Sequence, residues 1–135
     1  MPELPEVERA AKLLRARIVG KTIADARLLH ASLRRRLGAH ALRALRGASI
    51  AAVERRGKHQ LIVLLDGRVI RAHFRMTGDW HIDTTHDPLP RFARAAISFS
   101  DGTRLVLDDA RALSTLELHR SRADADVELG PEADD

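Results

Sequence analysis

The chain has 135 residues, no cysteine and a formal net charge of +4 at pH 7. This length suits one domain, and the absence of cysteine excludes disulfides and thiolate zinc sites and fits a reducing cytoplasm. No apolar run approaches the ~20 residues of a membrane span, and the acidic, proline-broken start is not that of a signal peptide. Nearly all the positive charge is arginine, which binds phosphate well; this predicts a polyanionic partner, unless the arginine merely reflects codon bias.

A helix is predicted close to the N-terminus. Pro5 suits a first helical turn, and Glu6 and Glu8 suit the positive end of the helix dipole. Gly20 is a typical helix stop. Apolar residues repeat between them at helical spacing, at Val7, Ala10, Ala11, Leu14 and Ile18.

From Lys21 onward the pattern favours strands. Asp66-Gly67 joins two β-branched runs in a two-residue hairpin turn, and Asp101-Gly102 repeats the device. Residues 32–47 indicate a basic loop with one turn of helix. The other segments bring the total to about eight strands with short connections. The predicted fold is therefore mainly β, an antiparallel β-sandwich or flattened barrel with an N-terminal α-helix.

The first eight residues, MPELPEVE, raise a chemical question. Proline after the initiator methionine permits removal of that methionine, which would leave Pro2 with a free secondary amine. An N-terminal amine has a pKa of ~7.7–8.0, far below the ~10.4 of lysine, so a useful fraction is nucleophilic at neutral pH. If Met1 is retained, the Pro2 nitrogen is an amide and cannot attack. Taken alone, the segment is more typical of a plain helix start.

MPELPEVE at the extreme N-terminus resembles the signature of the formamidopyrimidine-DNA glycosylases, bifunctional base-excision enzymes related to endonuclease VIII. Further segments match in order. RRGKHQLI resembles the family's basic strand-turn, HFRMTG its HLGMTG segment, DDARALSTLEL its DPRRFG region and LGPE its interdomain linker. The resemblance covers only the family's N-terminal domain. It predicts a catalytic β-sandwich over residues 1–122 and an acidic interdomain linker over 123–135, without the family's helix-two-turn-helix and zinc-ribbon domains.

The resemblance implies catalytic roles for Pro2, Glu3, Glu6 and Lys58. Pro2 would attack the sugar C1′ and expel the base, and the resulting iminium would allow β- and then δ-elimination. Glu3 would transfer protons at the sugar ring oxygen. Glu6 would help to hold the terminus, although the helix dipole alone also explains an acid there. Lys58 would contact DNA near the lesion; the ordinary alternative is a solvated turn lysine.

The resemblance also implies four DNA-binding residues. His73 would face a phosphate, and Met76 would fill the gap left by a flipped nucleotide, although a methionine between strands is usually core. Arg111 would face the base opposite the lesion. Leu113 stands where the family has an intercalating phenylalanine, and leucine can wedge but cannot stack. The stretch Phe74-Arg75 stands where Leu-Gly is typical. These departures suggest a divergent branch and leave the lesion and opposite-base preference open.

The sequence therefore predicts the catalytic domain of a bifunctional DNA glycosylase/AP lyase that excises oxidised bases, foremost oxidised purines. Its partner would be damaged double-stranded DNA, and it would act as a cytoplasmic monomer away from membranes. No cofactor is expected in this chain, because the family's zinc ion belongs to the ribbon, and seven histidines without clustered acids predict no metal site. The alternatives are a non-catalytic module that binds damaged DNA and a protein-binding scaffold. The isolated domain is expected to be weakly active or inactive.

Overall fold

The structure is a computed structural model that describes residues 4–34 and 37–129. It confirms the predicted fold, with eight strands in two four-stranded antiparallel sheets and a helix at the N-terminal end. In chain order the elements are α1 (Leu4–Ile18), β1 (Ile23–Leu28), a short 3₁₀ helix (Ala31–Leu33), α2 (Ala39–Arg43), β2 (Ile50–Arg56), β3 (His59–Leu64), β4 (Val69–His73), β5 (Gly78–Thr84), β6 (Ala93–Phe99), β7 (Thr103–Asp109), β8 (Thr115–His119) and α3 (Arg122–Leu129).

The first sheet has the strand order β1-β6-β7-β5, and the second has the order β2-β3-β4-β8. Both predicted Asp-Gly hairpins are confirmed, one joining β3 to β4 and the other joining β6 to β7. The predicted two-residue turns are wrong, because the register leaves three residues in each loop, 65–67 and 100–102, and only the glycine of each has a positive φ. Gly67 and Gly102 have φ values of 96° and 89°, a left-handed conformation that glycine adopts without steric cost. The preceding aspartates, Asp66 and Asp101, each accept a hydrogen bond from the backbone N–H two residues on, at 3.0 Å.

Helix α1 buries one face and ends as predicted. Its buried residues are those that the helical spacing selected, Val7, Ala10, Ala11, Leu14 and Ile18. They pack towards β2 and β3, and Arg15 Nε donates to the Val53 carbonyl of β2 at 2.9 Å. Gly20, with a φ of 89°, turns the chain out of the helix.

The core lies between the two sheets. Trp80 is largely buried there, and its indole Nε1 donates to Gln60 Oε1 at 2.8 Å, which satisfies the one polar atom of the ring. Aliphatic side chains from both sheets surround it, among them Ile62, Ile70, Ile97, Leu105, Leu107 and Leu116. Burial of each such side chain stabilises the fold by about 1.5–3 kcal/mol.

The region predicted as a basic loop with one helical turn contains two short helices in its described part, the 3₁₀ helix and α2. His30 caps the 3₁₀ helix, because its Nδ1 accepts a hydrogen bond from Ser32 N at 3.1 Å. Leu33, Leu37, Leu42 and Leu45 anchor the region by packing into the core. Leucines spaced along this segment therefore hold it against the sandwich, and Arg34, Arg43 and Arg46 are exposed.

The acidic tail begins with structure that the prediction did not include. Helix α3 occupies Arg122–Leu129, where a linker was predicted from residue 123. Ala125 is fully buried against Leu61 and Val69 on the outer face of the second sheet. Arg71 Nη1 donates to the Ala125 carbonyl at 3.3 Å and also pairs with Glu117. The burial of this small residue and the hydrogen bond from Arg71 dock an acidic segment against the sheet. No helix within the described ranges has the length and hydrophobicity needed to cross a membrane.

Candidate functional site

Three loops meet at one end of the sandwich because of the strand register. His59 of β3 pairs with His73 of β4, which places the β2–β3 turn beside the β4–β5 connection. His73 also pairs with Thr115 of β8, and Gly78 of β5 pairs with Asp109 of β7, so the β7–β8 connection reaches the same end. The loops carry the predicted residues Lys58, His73, Met76, Arg111 and Leu113.

The first turns of α1 lie at this same end. Glu8 accepts a hydrogen bond from Arg55 Nε at 2.6 Å, and Arg55 Nη1 donates to the Gly57 carbonyl at 2.8 Å. Exposed Glu6 lines an open cleft of about 400 Å³ together with Phe74, Gly78 and Trp80. The helix-dipole and site interpretations of Glu6 are therefore compatible, since the first turn of α1 borders the cleft.

Two apolar side chains project from the loops into solvent. Met76 is 45% exposed and Leu113 is 46% exposed, so Met76 does not belong to the core. Met76 lies in the β4–β5 connection and Leu113 in the β7–β8 connection. Exposed apolar side chains at loop tips are suited to insertion into a base stack, where they would leave water for an apolar environment.

His73 is buried, with 2% of its surface exposed. Its Nδ1 accepts a hydrogen bond from Arg75 N at 2.9 Å, and its ring meets the His59 ring edge to face at 4.6 Å. The described geometry therefore has His73 holding the turn that leads to Met76. Its contact with a phosphate stays a prediction.

Asp109 organises the β7–β8 connection. Its carboxylate is fully buried and accepts backbone hydrogen bonds from Arg111, Leu113 and Ser114 at 3.1, 2.9 and 2.7 Å. The hydroxyls of Ser114 and Thr77 also donate to it. Burial raises the pKa of Asp109, but the hydrogen bonds from Thr77 and Ser114 outweigh it, and the net pKa lies below the ordinary value. The loop thus closes around a permanent negative charge.

Two residues in these loops have left-handed backbone conformations that usually require glycine. Arg75 has a φ of 58° and Ala112 a φ of 55°. The first is the position where the family's HLGMTG segment has glycine, so this chain keeps the backbone turn and adds a guanidinium. Gly78 makes a close approach: an added Cβ would lie 2.1 Å from Ser114 Oγ and 2.9 Å from both the Cα and the carbonyl O of Phe74. Gly78 therefore lets the two loops pack together.

Sequence reasoning missed a cluster of two arginines around a phenylalanine at the start of β6. The guanidinium carbons of Arg91 and Arg94 lie 5.1 and 5.7 Å from the centre of the Phe92 ring. Arg94 Nε also donates to the Asp109 carbonyl at 2.8 Å, which ties the cluster to the loop of Arg111. The sequence signal for this cluster is the stretch PRFAR, because an aromatic residue between arginines is typical of protein surfaces that bind nucleic acid.

Pro2 and Glu3 lie outside the described residues, and their predicted roles stay predictions. Lys58 is half-buried in the β2–β3 turn and interacts with its surroundings there, so it is not a freely solvated lysine. Within residues 4–34 and 37–129, no three histidine, aspartate or glutamate side chains are grouped to hold a metal ion.

Comparison with known proteins decides the family. Residues 1–116 match the model of the formamidopyrimidine-DNA glycosylase N-terminal domain. This chain belongs to the formamidopyrimidine-DNA glycosylase family. It is 36% identical to the formamidopyrimidine-DNA glycosylase of Geobacillus kaustophilus over 98% of this chain and 50% of that protein. It is 32% identical to that of Bacillus subtilis over 99% of this chain and 50% of that protein.

Solved structures of formamidopyrimidine-DNA glycosylases share the fold. Lactococcus lactis Fpg in complex with abasic-site DNA superposes with a TM-score of 0.81 at 28% identity, covering 87% of this chain and 43% of that one. The same protein with Fapy-dG DNA gives 0.81 at 28%, covering 87% and 44%. MutM with DNA containing carbocyclic 8-oxo-G gives 0.81 at 30%, covering 87% and 43%. The chain spans about half the length of the curated relatives it matches.

Proposed function

We propose that this chain supplies the catalytic domain of a bifunctional DNA glycosylase/AP lyase of base-excision repair. Its substrate is damaged double-stranded DNA carrying oxidised bases, foremost oxidised purines, and it acts as a monomer in the cytoplasm. The observation that carries the proposal is the convergence of loops from three parts of the chain at one end of the sandwich, beside the first turns of α1. These loops are the segments that match the family, and family members have been solved with DNA containing an abasic site, Fapy-dG or 8-oxo-G.

In this proposal the chemistry begins at Pro2. With Met1 removed, the amine nitrogen loses its proton and bonds to the sugar C1′ while the bond from C1′ to the base breaks; the base leaves with the bonding electron pair and takes up a proton. The nitrogen lone pair then forms the C=N bond of an iminium as the bond from C1′ to the ring oxygen breaks, and a proton from Glu3 neutralises that oxygen. Loss of the C2′ proton leaves an electron pair that forms a C=C bond as the C3′–O bond breaks and the 3′-phosphate leaves. A second elimination, with loss of the C4′ proton, breaks the C5′–O bond and expels the 5′-phosphate.

The described loops hold the DNA for this chemistry. Lys58 and Arg111 contribute positive charge at the end of the sandwich, where phosphates must lie for the N-terminus to reach a sugar. Met76 and Leu113 are exposed apolar wedges on neighbouring loops. A flipped nucleotide leaves a gap in the stack, and apolar side chains that fill it offset part of the unstacking cost.

Borohydride trapping tests the proposal. An abasic-site duplex carries an aldehyde, and its reaction needs no base recognition. The chain from which Met1 has been removed, as verified by its mass, should therefore form a reducible covalent adduct. Pro2→Gly also keeps a free amine and should still react. Chain verified to retain Met1 should lose trapping at Pro2; undiminished trapping with that form would contradict the proposal. DNA binding without an adduct from the processed chain would identify a non-catalytic module instead.

A further inference from the structure

A second basic surface lies on the side of the sandwich. It is an open groove of about 570 Å³ between strand β1 and helix α2. Leu28 and Leu42 form part of its apolar lining. Its remaining wall is cationic, formed by Arg27, Arg34, Arg43 and Arg46. We refer to these six residues as the arginine groove.

Three of the four arginines in the groove are uncompensated. Arg46 pairs with Asp25 at 3.0 Å. Among the residues that the structure describes, Arg27, Arg34 and Arg43 form no ion pair, and all three are exposed. Groups of like charge repel one another, so three neighbouring unpaired arginines lower stability unless a ligand uses them.

Some arginines of the domain are paired with carboxylates: Arg55 with Glu8, Arg68 with Asp66, Arg104 with Asp83 and Arg122 with Glu54. Other exposed arginines among the described residues, such as Arg9, Arg17 and Arg91, form no ion pair. The arginine groove differs from these because its four arginines line one groove together with two leucines.

The groove borders the candidate site through the 3₁₀ helix. Ser32 and Leu33 of the 3₁₀ helix line a second groove, about 410 Å³, whose other wall is formed by residues 112–116. That wall includes exposed Leu113. Arg34, the next residue after the 3₁₀ helix, lines the arginine groove. Residues 32–34 thus form a common wall, with the proposed wedge on one side and the arginines on the other.

We propose that the arginine groove binds the sugar-phosphate backbone of the duplex that flanks the lesion, on the Leu113 side of the site. Guanidinium groups hold phosphate oxygens bidentately, and half-buried Leu28 offers contact to the apolar face of a deoxyribose. The inference rests on the proposed function, because that function brings DNA to the wall formed by residues 32–34. An acidic protein segment is the rival occupant.

Duplex length and salt dependence test the groove directly. The 135-residue chain is titrated with two duplexes that carry a central tetrahydrofuran abasic analogue, one of about 10 base pairs and one of about 25. The variant is Arg27→Gln/Arg43→Gln. The matched control is Lys12→Gln/Arg17→Gln, which removes the same charge from the exposed face of α1; neither residue lines the arginine groove. Melting temperatures confirm that both variants remain folded.

The expected result is that the groove variant weakens binding of the long duplex and reduces the slope of log affinity against log salt by about 2. Binding of the short duplex should match that of the control. Equal losses on both lengths, or a loss no larger than that of the control, would overturn the inference. So would unchanged DNA binding combined with lost binding of polyglutamate, which would assign the groove to an acidic protein segment. If the long duplex binds as expected but no borohydride adduct forms on abasic DNA, the proposed function fails while the groove inference stands.

Discussion

Asp109 and Ser114 are joined by two hydrogen bonds, because the Asp109 carboxylate lies 2.7 Å from both the backbone nitrogen and the hydroxyl oxygen of Ser114. The same hydroxyl lies 2.9 Å from the Phe74 carbonyl. One buried carboxylate therefore connects the loop of Arg111 and Leu113 to the chain that leads to Met76. The positions of the proposed wedges depend on a group that touches neither side chain.

Replacement of Asp109 by asparagine should destabilise the domain by about 2 kcal/mol at neutral pH, because the amide NH₂ would face N–H and O–H donors in a buried site. The pKa of Asp109 is lowered in the folded state, so its stabilisation is present above the unfolded value near pH 4 and lost as the pH falls through the folded value. Urea unfolding of both proteins from pH 3 to pH 7 checks this. A difference that grows towards acid would contradict the assigned ionisation.

Gly78→Ala should cost about 2 kcal/mol, because the added Cβ meets backbone atoms of Phe74 at 2.9 Å as well as Ser114 Oγ. Adding Ser114→Ala removes the clash with the hydroxyl but leaves the backbone clash. Gly38→Ala is the control, since nothing lies within 4 Å of its Cβ position, and it should cost below about 1 kcal/mol. Equal effects at Gly78 and Gly38 in thermal unfolding would show that the close approach does not matter.

Arg75→Gly should stabilise the domain by about 0.5 kcal/mol. A non-glycine residue held at a φ of 58° destabilises the folded state by about 1 kcal/mol or more. Glycine removes this strain, but it also increases the conformational entropy of the unfolded chain, which offsets part of the gain. The same change at Arg17, inside α1, should instead cost about 1 kcal/mol. Denaturant midpoints of the two variants should therefore move in opposite directions. A destabilised Arg75→Gly would mean that the side chain contributes more than its backbone costs.

The strands could be predicted from sequence because their signals are local. The β-branched runs and the two Asp-Gly turns suffice to locate the hairpins, and the spacing of Val7 to Ile18 suffices for α1. Helix α3 was missed because it is stabilised by tertiary interactions, above all the burial of Ala125 and the hydrogen bond from Arg71. Composition alone cannot show that an apolar-poor segment has a partner.

The candidate site was predicted through motif positions rather than geometry. The resemblance selected Lys58, Met76 and Arg111, and the structure places their loops together. The resemblance could not reveal that His73 is buried, since its burial depends on the cross-strand partner His59. Nor could the resemblance show that Asp109 connects two loops, because Thr77, whose hydroxyl donates to its carboxylate, lies 32 residues away in the sequence.

Alanine at Arg111 or Lys58 should weaken binding to an abasic-site duplex and reduce the salt slope by about 0.9 for each phosphate that the protein no longer neutralises. Arg111 is exposed, so its replacement should leave the melting temperature within about 1 °C. The His73→Ala substitution should instead lower the melting temperature clearly, because the His73 ring is buried and accepts a hydrogen bond from Arg75 N. Weakened folding at Arg111→Ala with unchanged DNA affinity would assign that residue a structural role.

The 135-residue chain alone should fold, bind DNA weakly and excise damaged bases poorly or not at all. Independent folding follows from its own core between two complete sheets. Bending a duplex and flipping a nucleotide cost a few kcal/mol each, which many protein–DNA interactions must offset. The curated relatives are about twice as long as this chain, so their second half is available to provide such interactions. Glycosylase assays measure the rate of base excision. They use chain of verified mass and duplexes with an oxidised purine or an oxidised pyrimidine. Multiple turnover on either substrate would show that the sandwich alone stabilises the flipped state, and the proposed dependence on a second half would be wrong.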